Sequence, residues 1–182
     1  MEINIKTSRK ANVLLTLGFF AFSCFPMAYA SENLTIDKLD FTKMSIKARA
    51  IFLNDKENFC ASYSNSTQKP ELIFSEHPIE KVRISYTELK AEVIDYNRFQ
   101  CLNGSNPYNG SAGAPLIIIV KGKIFKFGLA RGWKLISWNE SRILLVDRHG
   151  TWCDLPGYRA CIEAFIFEKD EFLSASKAIK NQ

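Results

Sequence analysis

The chain has 182 residues, of which 24 are basic and 19 acidic, and its formal net charge is +5 at pH 7. It contains no long block of like charge and no basic stripe with interleaved aromatic residues, so we expect no nucleic-acid partner. A weak positive charge of this kind favours no other class of partner by itself.

The first thirty residues have the three-part layout of a secretory signal. The start is basic through Lys6, Arg9 and Lys10. A mostly apolar run follows from Ala11 to Phe25, and Ala28-Tyr29-Ala30 places small residues at the two positions that a signal peptidase recognises. Because a membrane-spanning helix needs roughly 20 apolar residues, we expect a cleaved signal peptide here rather than an N-terminal anchor.

Cleavage would remove residues 1–30 and leave 31–182 as a single globular domain. The bulky Phe22 before Cys24 fits a lipoprotein cleavage box poorly, so we do not expect lipid attachment. The remaining chain has 21 basic and 18 acidic residues, a net charge of +3, and is long enough for one hydrophobic core. No second apolar segment of spanning length follows, which predicts a secreted protein without stable membrane insertion after cleavage. Residues 31–40 are polar and predict a flexible arm.

Four cysteines remain after cleavage, and an even number in an exported protein predicts two disulfides. They are Cys60, Cys101, Cys153 and Cys161. Three pairings are possible. The turn-rich stretch between the last two, with Pro156 and Gly157 at its middle, favours a local bridge, and the other two would then form a long-range bridge.

The chain's two histidines, His77 and His149, are not spaced as a zinc pair, and no Cys-x-x-Cys occurs. We therefore predict neither a metal nor another cofactor.

The segment from Phe41 to Cys60 satisfies two periodicities at once. Five of its residues alternate as in a strand, and an overlapping set lies on one helical face. The alternating residues are Met44, Ile46, Ala48, Ala50 and Phe52. Its Lys, Arg and Ala content favours a helix, with Thr42 as the candidate N-cap. Residues 61–70 are a loop by composition.

The rest of the chain consists of short apolar and β-branched runs separated by turns, which predicts an antiparallel sheet. The candidate strands are Leu72 to Phe74, Val82 to Tyr86, Val93 to Tyr96, Leu116 to Val120, Ile124 to Leu129, Trp133 to Trp138, Ile143 to Val146, Ile162 to Phe167 and Phe172-Leu173. The predicted fold class is α+β, mainly antiparallel β-sheet with one N-terminal helix and braced by disulfides.

A series of short motifs runs through residues 80–175. It comprises Asp95-Tyr96 before Cys101, Gly110-Ser111-Ala112-Gly113, His149-Gly150, Cys153, Gly157, Cys161 and an aromatic hairpin around Phe165 to Phe172. In this pattern the chain resembles a group of small secreted alphaproteobacterial proteins without an assigned activity. The resemblance implies a bacterial periplasm and a β-rich scaffold.

The chain departs from that group in two places. Asn109 and Ala114 stand where the group usually has cysteines beside the Gly-Ser-x-Gly turn. Ser85 to Lys90 replaces an Asp/Gly-rich stretch that is similar to a calcium loop. With one carboxylate and no glycine, this segment argues against calcium binding.

The stretch Asp147-Arg148-His149-Gly150 places a carboxylate, a guanidinium and an imidazole side by side, which makes it the first candidate for catalytic residues. On a strand, Asp147 and His149 share one face and Arg148 points to the other. His149 is a candidate general base with Asp147 beside it, and Ser111 is a candidate nucleophile. Because Ser111 directly follows a glycine, its turn lacks the Gly-x-Ser-x-Gly pattern of a nucleophile elbow. We favour a strand end packed against a disulfide loop.

Asp154 and Glu163 flank the small cysteine loop and form a conceivable acid/base pair. A glycosidase needs two carboxylates about 5–9 Å apart across a cleft. Surface carboxylates are common, so we favour ordinary surface residues here.

The aromatic residues divide by context. We expect Trp133 and Trp138 in the core. Tyr108, Trp152 and Tyr158 stand in turn-like segments, where exposed aromatic side chains favour binding. Together with Ser111, these three define the predicted interaction surface.

Three functional hypotheses follow. The first is a non-enzymatic periplasmic module that binds an envelope or secreted protein, in one version an inhibitor of a cell-wall lytic enzyme, because small periplasmic lysozyme inhibitors present a similar serine-glycine loop. The second is a small periplasmic hydrolase that uses His149. The third is a structural subunit of an envelope assembly.

Overall fold

A computed structural model describes residues 34–61, 71–102, 106–108 and 110–174. The predicted signal peptide and most of the predicted loop over 61–70 lie outside these ranges. Besides four short 3-10 helices, the described elements are one α-helix and eleven strands: β1 Leu34–Thr35, α1 Ile46–Asn58, β2 Leu72–Phe74, β3 Ile79–Arg83, β4 Lys90–Asp95, β5 Phe99–Cys101, β6 Ala114–Val120, β7 Lys123–Ala130, β8 Gly132–Trp138, β9 Ser141–His149, β10 Ala160–Glu168 and β11 Glu171–Ser174.

The described strands form three antiparallel sheets, so the fold is richer in β-structure than one sheet with a helix. Their strand orders are β1-β2-β5, β3-β4-β6-β7 and β11-β10-β9-β8. Short hairpin turns join β6 to β7, β8 to β9 and β10 to β11, which suits strands of this length and spacing. The predicted fold class is therefore confirmed in its coarse form.

Strand β6 is buried on both faces and separates two hydrophobic clusters. Its alternate residues Ile117 and Ile119 face the first cluster, which also contains α1 residues and the β1-β2-β5 sheet. Leu116, Ile118 and Val120 face the second cluster, where this sheet packs on the β8–β11 sheet. This double burial explains why the strand is apolar throughout instead of alternating.

Most of the segment from Phe41 to Cys60 is helical, as predicted, but the residue that caps the N-terminus of the helix differs from the predicted one. Ser45 is the N-cap, and its side chain accepts a hydrogen bond from the Ala48 backbone N–H at 3.2 Å. Thr42 instead lies in a short 3-10 turn with its hydroxyl bonded to Asp40. Ile46 is 86% exposed, which a strand facing the core would not allow.

Two further predictions require correction. Residues 34–40 are not a flexible arm, because β1 pairs with β2 and Ile36 and Leu39 are buried in the first cluster. The strand expected over Val82 to Tyr86 instead spans Ile79–Arg83. A turn follows it, in which the Ser85 hydroxyl bonds to Thr87.

Both disulfides have the pairing that was favoured by the turn-rich stretch between Cys153 and Cys161. Cys60 is bonded to Cys101, which ties the end of α1 to β5, and Cys153 is bonded to Cys161 across the loop before β10. The first bridge lies inside the first cluster, and the second holds the segment that carries the candidate site residues.

Candidate functional site

The Gly110-Ser111-Ala112-Gly113 turn is braced against the end of β7. The Gly113 N–H donates to the Gly110 carbonyl at 3.1 Å. Gly113 has a φ of 78°, and a Cβ there would overlap the backbone of Ala130 and Arg131. Only glycine combines this left-handed backbone with such a close approach, so the turn is held in one place.

Asn106 and Tyr108 fix the beginning of the same loop. The Asn106 side chain donates to the Phe99 carbonyl at 2.9 Å and accepts from the Tyr108 N–H at 2.8 Å. The half-buried Tyr108 ring packs on Phe59 and Tyr96. Tyr108 is thus less exposed than its turn context suggested, and it anchors the loop.

Ser111 lies exposed in the turn beside His149. Its Oγ is 3.3 Å from His149 Nε2, and His149 Nδ1 is 2.8 Å from Thr151 Oγ1. A Cβ at Gly157 would overlap the same imidazole, so the ring rests against the disulfide loop. His149 therefore joins the distant Ser111 turn to the disulfide loop that follows β9.

Asp147 does not support His149. The two side chains share a face of β9, as predicted, and the buried Arg148 points to the opposite face. Asp147 Oδ1 accepts from the Arg131 guanidinium at 2.8 Å. The hydroxyl of Thr151 occupies the place that a carboxylate has in a catalytic triad.

Arg148 and Glu163 form a structural pair on that opposite face. Arg148 Nε donates to Glu163 Oε2 at 2.6 Å, and another guanidinium N–H donates to the Leu129 carbonyl at 2.6 Å. The Trp152 ring lies over the guanidinium, with Cζ 5.1 Å from the ring centroid. Asp154 stands at the exposed end of the preceding turn and does not line the groove that Glu163 lines. Glu163 is therefore engaged in holding Arg148.

The exposed aromatic residues differ in part from expectation. Tyr158 is 80% exposed and Trp152 is 59% exposed. Trp133 packs against the second cluster as expected, but Trp138, which we expected in the core, is 66% exposed at the end of β8. Trp138 lies five residues after Trp133, so the alternation of β8 places it on the face opposite Trp133 and Leu135, which pack against the second cluster.

The four predicted binding residues do not form one patch. Ser111 reaches the Tyr158 segment through His149 and Gly157. Trp152 instead lies over Arg148, whose side chain leaves β9 on the face opposite His149. Tyr108 lies half-buried in the same loop as Ser111, so Ser111 and Tyr158 are the two exposed members that the structure brings to the same region.

One polar pair was missed by sequence reasoning. The Tyr96 hydroxyl donates to Asp55 Oδ2 at 2.6 Å, on the edge of a pocket of about 490 Å³ that Tyr108 also lines. Burial raises the pKa of Asp55, although the Tyr96 hydrogen bond opposes this shift. Burial, followed by the hydrogen bond to Asp55, raises the pKa of Tyr96. No local signal links two residues 41 positions apart.

Within the described ranges, no group of three or more His, Cys, Asp and Glu side chains could hold a metal ion. The described part of the chain also has no helix with the length and apolar content needed to cross a membrane.

No protein-family model matches the chain, and no curated protein or solved structure matches it significantly.

Proposed function

We propose that the chain is an exported, non-enzymatic module that binds a protein of the cell envelope through the Ser111 loop, defined as the described residues 106–108 and 110–113. The observation that carries this proposal is the combination of an exposed Ser111 with anchors on both sides of it. A loop held in this way loses little conformational entropy when it is bound, and preorganisation of this kind increases affinity.

The neighbouring disulfide loop would extend the contact surface. Tyr158 is exposed beside Gly157, on which the His149 ring rests. Tyrosine is enriched among residues that dominate binding energy because it adds a large area with few rotatable bonds. The Cys153–Cys161 bridge restrains this segment. The proposed surface therefore consists of Ser111 at one side and Tyr158 at the other.

An inhibitor of a cell-wall lytic enzyme is the specific form of the proposal. A narrow, rigid, glycine-rich turn with a hydroxyl at its exposed part suits insertion into an enzyme cleft. The two disulfides fit an oxidising compartment such as the periplasm, where these enzymes act. The resemblance to secreted alphaproteobacterial proteins supports the same location.

The test uses protein purified after export with both disulfides formed. It is titrated into purified muramidase, lytic transglycosylase, amidase and endopeptidase while the clearing of cell-wall suspensions is measured. We expect one class to be inhibited at a 1:1 ratio. Replacement Ser111→Tyr should weaken inhibition roughly 30-fold, the effect of losing a hot-spot contact of about 2 kcal/mol.

Ser85→Tyr is the matched control, because Ser85 also lies in a surface turn and its hydroxyl also bonds to a nearby side chain, in this case that of Thr87. It should leave inhibition unchanged. If all four enzymes remain fully active, or if the two variants inhibit equally well, the inhibitor proposal fails. Circular dichroism of both variants checks that each is folded.

The contact between Ser111 and His149 supports a second candidate function, a small hydrolase. At 3.3 Å the pair is close to the distance of roughly 2.6–3.2 Å that proton transfer needs, and apo enzymes often have looser contacts. In this hypothesis, Thr151 would orient the imidazole. We rank it second because Asp147 is engaged with Arg131.

A fluorophosphonate probe separates the two functions, because it forms a covalent bond with an activated serine. A hydrolase should be labelled at Ser111, and both Ser111→Ala and His149→Ala should abolish the label. Absence of labelling in the wild-type protein, with a known serine hydrolase labelled in parallel, would eliminate this candidate.

A further inference from the structure

A groove of about 580 Å³ lies between β3 and β8. Among the described strands, each is the outermost strand of its sheet, in the orders β3-β4-β6-β7 and β11-β10-β9-β8. An outer strand presents a row of backbone N–H and C=O groups that no neighbouring strand satisfies. The groove therefore offers backbone hydrogen-bonding groups along its walls.

Basic side chains outnumber acidic ones among the residues that line the groove. Its basic residues are Lys81, Arg83, Arg98, Lys134 and Arg142, and its acidic residues are Glu80 and Asp95. Three of the cations are paired with carboxylates: Lys81 with Glu92, Arg83 with Glu88, and Arg98 with Glu76 and Glu80.

The other two cations, Lys134 and Arg142, form no ion pair with a carboxylate of the described residues. Arg142 donates to the Ser137 hydroxyl at 2.7 Å. Asp95 also lines the groove, but its side chain is buried and accepts hydrogen bonds from Asn97 instead of pairing with either cation. Lys134 and Arg142 are therefore two cations beside β8 whose charges no carboxylate of the described residues pairs with directly.

The floor of the groove is apolar. Val82, Trp133 and Leu135 line it while packing against the second cluster. On β8 the exposed Lys134 lies between the half-buried Trp133 and Leu135. The strand thus presents apolar and basic contacts in the two-residue period of an extended chain.

We propose that this groove binds an extended, acidic polypeptide segment, which adds to β8 as a further antiparallel or parallel strand. Strand addition would satisfy the outer backbone groups of β8, and alternating carboxylates would meet Lys134 and Arg142. A second copy of this chain is a poor occupant because it would bring the same cations to the same edge. The proposal goes beyond the Ser111 loop and does not depend on it.

The test measures the binding of a fluorescein-labelled octapeptide of alternating Glu and Val by fluorescence anisotropy. The purified protein should bind it, and Lys134→Glu should weaken binding roughly tenfold, since charge reversal removes an attraction and adds a repulsion. Lys126→Glu is the matched control on the exposed outer strand β7 and should leave affinity unchanged. Ser111→Tyr should also bind the peptide normally, which separates this site from the proposed function.

Two further measurements distinguish strand addition from general anion binding. A peptide with N-methylated alternate amides should bind at least tenfold more weakly, because it cannot complete the backbone ladder. Hydrogen exchange of β8 amides should slow when the unmodified peptide is bound. Absence of peptide binding, equal losses in the Lys134 and Lys126 variants, or equal binding of a hyaluronan octasaccharide would overturn the proposal.

Discussion

Gly113 and Gly122 show how the same backbone conformation can have different costs of substitution. Their φ angles are 78° and 76°, and both are left-handed. A Cβ at Gly113 would overlap Ala130, whereas a Cβ at Gly122 would meet no atom within 4 Å. The conformational strain is thus shared, and the steric overlap belongs to Gly113 alone.

We expect Gly122→Ala to lower the free energy of unfolding by about 1 kcal/mol, the cost of a left-handed backbone for a residue with a side chain. Gly113→Ala should cost about 3 kcal/mol, because the neighbouring backbone must also move. Urea denaturation of the two variants measures both values. Equal costs would show that the turn is not held tightly against Ala130.

The buried Asp55 predicts how the stability of the protein depends on pH. Burial raises its pKa above the usual 3.8, so the folded protein keeps this proton to higher pH than the unfolded chain does. The stabilising contribution of this site is fully present below pH 3.8 and is lost as the pH rises through the raised pKa. Ionised Asp55 therefore opposes folding at neutral pH.

Asp55→Asn removes the titration and retains an oxygen that can accept from Tyr96. We expect the stability of the wild-type protein to fall relative to this variant as the pH rises above 3.8, as measured by urea denaturation along a pH series. The exposed Glu140→Gln variant serves as the control. Parallel stability curves for the wild-type and Asp55→Asn proteins would contradict this assignment.

At the level of elements, α1 shows how one segment can satisfy two periodicities. Ala48 and Phe52 are buried four residues apart, while Ile46 and Leu53 are exposed. The helix is therefore anchored by a narrow face, and its start depends on Ser45. Sequence composition predicted the helix, but Thr42 and Ser45 are both acceptable caps by residue type. The position of Glu92, which accepts from the Ser45 N–H, helps to decide between them.

The two disulfides restrain loops of different length, with cysteines 41 and 8 residues apart. Because a longer closed loop restricts the unfolded chain more, we expect Cys60→Ala with Cys101→Ala to cost about 4 kcal/mol. Cys153→Ala with Cys161→Ala should cost about 2.5 kcal/mol. Urea denaturation of the double variants gives both values. A reversed order would mean that native-state packing outweighs chain entropy.

At the scale of the whole described domain, two clusters share the β4–β6 part of one sheet. The helix contributes to the first cluster, and all three tryptophans lie in the C-terminal part of the chain at positions 133, 138 and 152. Neither cluster can lose the shared strands without exposing the other. This arrangement predicts a single cooperative unfolding transition.

Circular dichroism near 222 nm reports mainly on α1, while tryptophan fluorescence reports on the C-terminal sheet. We expect both signals to give the same midpoint in urea. Midpoints that differ by more than the fitting error would show that the two clusters unfold separately.

The sequence by itself determined the kinds of elements and the short-range links. Turn residues and apolar runs predicted most of the strands, and the Pro-Gly turn favoured the Cys153–Cys161 bridge. Local chemistry is sufficient for such features, because the residues that decide them lie within a few positions of one another.

Only the tertiary structure decided the contacts of the candidate sites. Ser111 meets His149, Asp55 meets Tyr96, and β3 and β8 face a common groove because of strand order and sheet packing. Periodicity indicates which side chains need burial but not which surface covers them. For this reason it could not predict that Asp147 would pair with Arg131 instead of His149.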